Sequence, residues 1–208
     1  MARSSRLRAL ERRLNELRRH FLPAQFDPTG AYTPRAIDRA RSYRLLAHAE
    51  IEACIEDLVR GLVTSSYAAW ELDRRPRTCL LALVSFYAEK FPPVPETMPA
   101  TLSRVTPGFM KDRIETARNA YARVVLQNNG VKEKNLLRLL LPIGIQEYEL
   151  DRTWLATIDS FGSVRGDTAH QSMRAQQPPD PANELAIVRQ IVTGLRQLDE
   201  LLAKLGAE

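Results

Sequence analysis

Cysteine and histidine are scarce in this chain. Its 208 residues include two cysteines and three histidines, and neither an HExxH nor a CxxC motif occurs. A glycine-rich phosphate loop is missing as well. The sequence therefore predicts no metal site and no cofactor. Cys54 and Cys79 lie in apolar helical patterns, so we expect both to be buried free thiols.

Long apolar runs are also missing. The longest, residues 136–145, is interrupted by Arg138 and Pro142 and is shorter than the roughly 20 residues that span a bilayer. The start of the chain is basic but has no apolar stretch and no small-residue cleavage site, unlike a secretory signal. We expect a cytoplasmic protein that has no membrane partner.

Positive charge is in excess, with 30 lysines and arginines against 25 acidic residues and a net charge of +5. This balance favours a polyanionic partner such as RNA. Much of the charge lies in residues 1–20, where leucines recur at helical spacing. These are Leu7, Leu10, Leu14 and Leu17. The pattern predicts an amphipathic helix that docks on the body, pairs with a second copy or lies against an anion. Its candidate RNA contacts are Arg12, Arg13, Arg18 and Arg19.

The chain divides into a basic N-terminal helix (1–21), a linker rich in proline and glycine (22–32) and a helical domain (33–208). Thr33 and Pro34 supply a hydroxyl cap and an initial proline for a long helix. Gly61 is predicted to end or bend that helix, and Pro76 to break or restart the helix after the helical segment 64–75.

Further helices are predicted from Pro107 to Leu126, over 132–141, and after a capping Asp151. A last helix is predicted from the apolar stripe that extends from Leu185 to Leu205. The proline-rich segments 91–99 and 177–181 are predicted loops. No convincing alternation of apolar and polar residues predicts a strand. The fold class is therefore all-α, a helical bundle.

Few polar residues on these helices have a chemical role that sequence can support. His20 is expected to be solvated, and His48 is expected to be structural, with Glu52 as its i, i+4 neighbour. Glu50, Glu52 and Glu56 could line a polar groove, but on an amphipathic helix we expect them to face water.

The segment Arg165-Gly-Asp-Thr-Ala-His170 groups residues that can act on a phosphodiester. Arg174, one turn beyond, is a further candidate RNA contact. RNA cleavage without a metal needs a base for the 2′-hydroxyl, an acid for the leaving 5′-oxygen and a cation for the phosphorane. Histidine and arginine supply these functions. Asp167 lies three residues before His170 and can orient its imidazole, or can cap a turn.

Spacing sets a limit on a single-chain site, because residues five apart lie about 140° from each other around a straight helix. A two-fold dimer would bring two copies of Arg165 and His170 to one groove. The competing interpretation of the spacing is an Arg–Asp ion pair and a buried histidine that closes the bundle.

Three segments in this order resemble the RiboL-PSP-HEPN family of the HEPN superfamily. They are Ala47-His-Ala-Glu-Ile-Glu-Ala-Cys-Ile-Glu56, Asn135-Leu-Leu-Arg-Leu-Leu-Leu-Pro-Ile-Gly-Ile145 and Phe161-Gly-Ser-Val-Arg-Gly-Asp-Thr-Ala-His170. The last is similar to the family's R-x4-H motif. The resemblance extends from about Arg41 to Leu202 and leaves the basic first helix outside it.

This resemblance implies a HEPN-like helical bundle, a homodimer and a metal-independent endoribonuclease of a prokaryotic toxin-antitoxin or antiphage system. It implies that Arg165 and His170 are the catalytic pair, and that an antitoxin or defence protein is a partner. The superfamily often has a polar residue directly after the arginine, whereas this chain has Gly166 there and Asp167 next. Some members are not nucleases, so the alternative is a non-catalytic module that binds RNA or a partner protein.

Overall fold

The computed structural model describes residues 3–90, 109–170 and 178–207, with the backbone alone for 164–170. These residues contain seven α-helices. They are α1 Ser5–Phe21, α2 Pro34–Asp73, α3 Thr78–Phe86, α4 Phe109–Leu126, α5 Glu133–Leu140, α6 Arg152–His170 and α7 Pro181–Ala207. Single 3-10 turns lie at Ala88–Lys90, Leu141–Ile143 and Glu147–Glu149. The described residues contain no strand, which confirms the predicted all-α class. None of these helices has the length and apolar character needed to cross a bilayer.

Polar side chains begin the helices at the predicted places. The Thr33 side chain accepts a hydrogen bond from the Ala36 amide at 3.3 Å, and Asp151 accepts one from the Trp154 amide at 2.7 Å. Each bond satisfies an amide that has no partner within the first turn of its helix. The predicted loop at 91–99 and the predicted start at Pro107 lie outside the described residues.

The prediction that Gly61 ends the long helix is wrong. Helix α2 continues through Gly61 to Asp73 and is 40 residues long. Glycine costs a helix only about 1 kcal/mol relative to alanine. The residues around it, among them Val59, Leu62 and Val63, are buried against the rest of the bundle, and this packing outweighs the local preference.

Helix α1 docks on the body of the protein, which was the first of the three arrangements that its narrow stripe allowed. Its four leucines are at most 6% exposed. The helix runs antiparallel to α2, because Arg6 pairs with Asp57 at 3.1 Å and Arg13 with Glu50 at 3.0 Å. The Ser4 amide bonds Asp199 of α7 at 2.8 Å, which attaches the start of α1 to a second helix.

Helices α6 and α7 pack as an antiparallel pair. The segment before α6, around Leu150, faces Leu201 of α7, and the Trp154 indole donates to the Ile191 carbonyl at 3.1 Å. Gly194 leaves room for that indole, since a Cβ at this position would overlap the ring. Only glycine lets α6 approach α7 this closely.

Helices α2 and α7 run in the same direction and form the centre of the bundle. Arg44, near the start of α2, contacts Glu184 near the start of α7, and Leu62, further along α2, lies beside Gly206. Helix α6 is therefore antiparallel to both and ends where they begin. We call this region, where α6 ends and α2 and α7 begin, the α6 end of the bundle.

Both cysteines are buried free thiols, as predicted. Burial raises the pKa of Cys54 and of Cys79 to about 12. Both thiols therefore stay protonated at neutral pH and act as small apolar groups.

Candidate functional site

The Arg165-to-His170 segment forms the last turns of α6. The helix is anchored by a buried stripe of Trp154, Leu155, Ile158 and Phe161, and its backbone is continuous to His170. Positions 165 and 170 therefore lie about 7.5 Å apart along the axis and about 140° apart around it. The side chains of Arg165, Asp167 and His170 and the whole of Arg174 lie outside the described residues.

His48 contacts α6 one turn before Arg165. Its ring stacks on Phe161 with a centroid distance of 5.7 Å, and its Nδ1 lies 3.6 Å from a carboxylate oxygen of Glu52. The side chain is 1% exposed. This burial agrees with the predicted structural role, because the ring fixes the position of α6 on α2.

The prediction that Glu50, Glu52 and Glu56 simply face water is wrong. Glu52 accepts a hydrogen bond from the Gly130 amide, and Glu56 accepts one from the Asn128 side chain at 2.9 Å. Glu50 pairs with Arg13 of α1. The three carboxylates therefore attach α2 to neighbouring segments far away in sequence.

The turn between α4 and α5 is held close to α6 by this network. Asn128 bonds the Gly130 carbonyl at 3.1 Å and accepts from Asn135 at 3.3 Å. Gly130 has a φ of +119°, a conformation that favours glycine. A Cβ on Gly162 of α6 would lie 3.1 Å from the Lys132 amide nitrogen. The close approach of these backbones fixes α6 just before its Arg165-to-His170 segment.

A buried ion pair joins α2 to α7 at the α6 end. The Arg44 guanidinium donates from Nε to Glu184 at 2.6 Å and makes a second bond to the other carboxylate oxygen. The Glu184 side chain is fully buried. Two parallel bonds of this kind fix the relative position of the two helices. Sequence patterning did not reveal this pair, because its members are 140 residues apart.

The four arginines that the sequence selected on α1 differ in their surroundings. Arg13 is committed to Glu50 and to Glu16, the latter at 3.1 Å. Arg18 is half-buried, lies over the Phe26 ring and contacts the Ala24 carbonyl at 3.4 Å. Arg12 and Arg19 are exposed, and neither has an ion pair with any residue that the structure describes. These last two are the more accessible to an anion.

A comparison of the sequence with models of known protein families finds a match over nearly the whole chain. The family model described as RiboL-PSP-HEPN matches residues 8–204. The chain belongs to the RiboL-PSP-HEPN family. The match contains all of α6 and starts at Arg8 in α1, well before Arg41, where the resemblance in the sequence began. Searches of curated proteins and of solved structures find no match.

Membership of the RiboL-PSP-HEPN family confirms the helical HEPN fold. It also narrows the functional class, because HEPN domains are ribonucleases or modules that bind RNA or other proteins, and they often dimerise. The family assignment does not depend on the α6 motif alone, since nearly the whole chain matches.

Proposed function

We propose that this protein is a metal-independent endoribonuclease whose catalytic residues are Arg165 and His170. The observation that carries the proposal is the R-x4-H spacing at the end of α6 in a chain that belongs to a HEPN family. We place the enzyme in the cytoplasm of a prokaryote, as the effector of a toxin-antitoxin or antiphage system with an antitoxin or defence protein as its partner.

The reaction is a transesterification within one strand of RNA. One His170 takes the proton of the 2′-hydroxyl, and O2′ attacks the adjacent phosphorus. The Arg165 guanidinium stabilises the charge on the non-bridging oxygens. The P–O5′ bond breaks while O5′ receives a proton from the partner's His170. The products are a 2′,3′-cyclic phosphate and a 5′-hydroxyl, and Asp167 orients the imidazole.

A groove shared by two chains follows from the spacing. A base and an acid are both needed, and each chain supplies one histidine within the segment. Leu45 and Leu46 lie in the same part of α2 as Arg44, and each is 38% exposed. Neighbouring exposed leucines offer an apolar contact for a second copy. A two-fold contact there would bring the two α6 ends together.

Cleavage is expected to persist in excess EDTA and to leave cyclic phosphate ends. The test incubates the purified protein with RNA in chelator and analyses the 3′ ends of the fragments by mass spectrometry. Cleavage that stops in EDTA and returns with Mg²⁺, or that leaves a 3′-hydroxyl, would contradict the mechanism.

The second candidate function is RNA binding without cleavage. It is favoured by the outer face of α1, where Arg8, Arg12 and Arg19 lie within about 40° of one another around the axis. All three are exposed, and the buried leucines occupy the opposite face. A stripe of this kind suits a phosphodiester backbone.

Replacing Arg8, Arg12 and Arg19 together by alanine is expected to weaken RNA binding and its salt dependence. For a single strand, each phosphate contact contributes about 0.7 to the magnitude of the slope of log K against log salt concentration. Loss of three contacts is therefore expected to reduce the magnitude of this slope by up to about 2. Fluorescence anisotropy at several salt concentrations measures it. The matched control replaces three exposed arginines elsewhere, Arg123, Arg138 and Arg152. An equal effect in both triple variants would exclude a specific role for α1.

A further inference from the structure

A groove between α1 and α7 has the make-up of a ligand site. Its volume is about 380 Å³, within the range of about 300–1,000 Å³ that is usual for small-molecule sites. The lining is apolar where Leu14 of α1 meets Leu185, Val188 and Val192 of α7. We call it the α1–α7 groove. An apolar part of a ligand can pack against these four side chains.

Tyr43 of α2 lies beneath the groove. The side chain is fully buried and belongs to the lining, and no hydrogen bond to its hydroxyl is found within the described part of the chain. Burial and the charge of Glu184 raise the pKa of Tyr43 to about 12, while the charges of Arg189 and Arg18 act in the opposite direction. The phenol therefore stays protonated and uncharged at neutral pH.

The rim of the groove is polar and carries two arginines. Arg189, Thr193 and Arg196 lie on one face of α7, and Asn15 of α1 faces them. Arg196 is neutralised by Glu11 at 2.7 Å. Arg189 is exposed and forms no ion pair with a described residue. An anionic group would therefore bind at Arg189, beside an amide and a hydroxyl that can hydrogen-bond to a ring or a sugar.

Positive charge continues from the groove to the α6 end. Asn15 lies within about 60° of Arg8, Arg12 and Arg19 around the axis of α1, so the arginine stripe borders the groove. Helix α1 runs antiparallel to α7, since Ser4 contacts Asp199 and Glu11 contacts Arg196. The last turn of α1 therefore lies near the start of α7, at the end of the bundle where α6 stops.

We propose that the α1–α7 groove binds one nucleotide, with the base on the apolar floor and the phosphate on Arg189. The nucleotide belongs to the RNA strand, or it is a free nucleotide that regulates the protein. In the first case the strand continues along the arginine stripe towards the α6 end. The choice of a nucleotide as the ligand rests on the proposed function.

Two substitutions in the groove test this proposal. Arg189→Ala removes the cation, and Thr193→Trp fills the groove from its exposed rim. Their matched controls are Arg123→Ala and Thr116→Trp on α4. Thr116 is exposed like Thr193, and each threonine hydroxyl bonds the carbonyl four residues before it. All four changes are made in the His170→Ala protein, so cleavage does not disturb the measurement.

The probes are a short single-stranded RNA and the four ribonucleoside 5′-monophosphates, measured by fluorescence anisotropy and calorimetry. Each groove substitution is expected to weaken binding about tenfold or more, since it removes a charge-assisted contact or the space for the base. If the groove substitutions weaken the binding of RNA but not of a monophosphate, the ligand is a nucleotide of the RNA strand. Weaker binding of a monophosphate identifies a free nucleotide.

Unchanged affinity for every probe in both groove variants overturns the proposal, and so does an equal loss in the controls. The readout is binding, so it is separate from the proposed cleavage. If the groove binds a nucleotide but the wild-type protein never cleaves RNA, the proposed nuclease function is refuted and the proposed nucleotide site stands. If the wild-type protein cleaves RNA but the groove substitutions leave binding unchanged, the nuclease function stands and the nucleotide site is refuted.

Discussion

His170→Ala is expected to lower the rate of RNA cleavage by roughly 10²–10⁴-fold, the usual contribution of a general acid or base. In a shared groove the substitution removes both the base and the acid, so the loss should lie at the upper end of this range. Arg165→Ala is expected to have a similar effect, because it removes the cation that stabilises the charge of the phosphorane. Gel analysis of a labelled RNA in EDTA measures both.

His20→Ala is the matched control for this substitution. His20 is exposed near the end of α1, and its replacement should leave the rate at the wild-type value. His48→Ala is unsuitable, because His48 is buried against Phe161 and its loss would disturb packing. Circular dichroism of each variant checks the fold. Cleavage at the wild-type rate by folded His170→Ala would remove His170 from the mechanism.

Arg44→Met is expected to destabilise the protein by roughly 3–5 kcal/mol, because it leaves the Glu184 carboxylate buried without its cation. The double variant Arg44→Met/Glu184→Leu is expected to recover most of that loss, since two apolar side chains can replace a buried ion pair. Urea denaturation followed by circular dichroism gives the free energy of unfolding. The control is Arg60→Met, which breaks the exposed Arg60–Asp57 pair of 2.7 Å on the same helix and should cost at most about 1 kcal/mol.

The loss in Arg44→Met is expected to depend on pH. Burial raises the pKa of Glu184, and Arg44 lowers it. Without Arg44 the folded pKa rises further above the unfolded value, so the folded state binds the proton more tightly. Stability is then greatest below the unfolded pKa and falls as pH rises through the folded pKa. The difference from wild type should be larger at pH 8 than at pH 5. A difference that does not change with pH, or a double variant no more stable than Arg44→Met, would show that the pair is not the cause.

Local patterns in the sequence were sufficient for most of the helix starts and for the apolar faces. The hydroxyl of Thr33 and the carboxylate of Asp151 determine where α2 and α6 begin, and such caps act over three residues. The leucine stripe of α1 predicted its buried face, but its docking on α2 depends on partners elsewhere in the chain. Sequence alone therefore left three arrangements open.

Long-range contacts explain what sequence reasoning missed. Glu52 and Glu56 occupy positions that a helical pattern assigns to water, but their partners at Gly130 and Asn128 are 78 and 72 residues away. At Gly61 the local pattern predicted a helix end, but the packing of the surrounding side chains outweighs the low helix propensity of glycine. The α1–α7 groove needed the structure, because Tyr43, Asn15 and Arg189 come from three helices.

The central claim is that paired Arg165-to-His170 segments of two chains cleave RNA without a metal. Its most direct test is the cleavage rate in EDTA of three purified dimers: wild type, His170→Ala, and a mixed dimer of one chain of each, isolated with two different affinity tags. We predict an active wild type, an inactive His170→Ala dimer, and a mixed dimer far below half the wild-type rate, because the groove needs both histidines. A mixed dimer with half the wild-type rate would contradict the shared groove, and equal rates in all three would contradict the site itself.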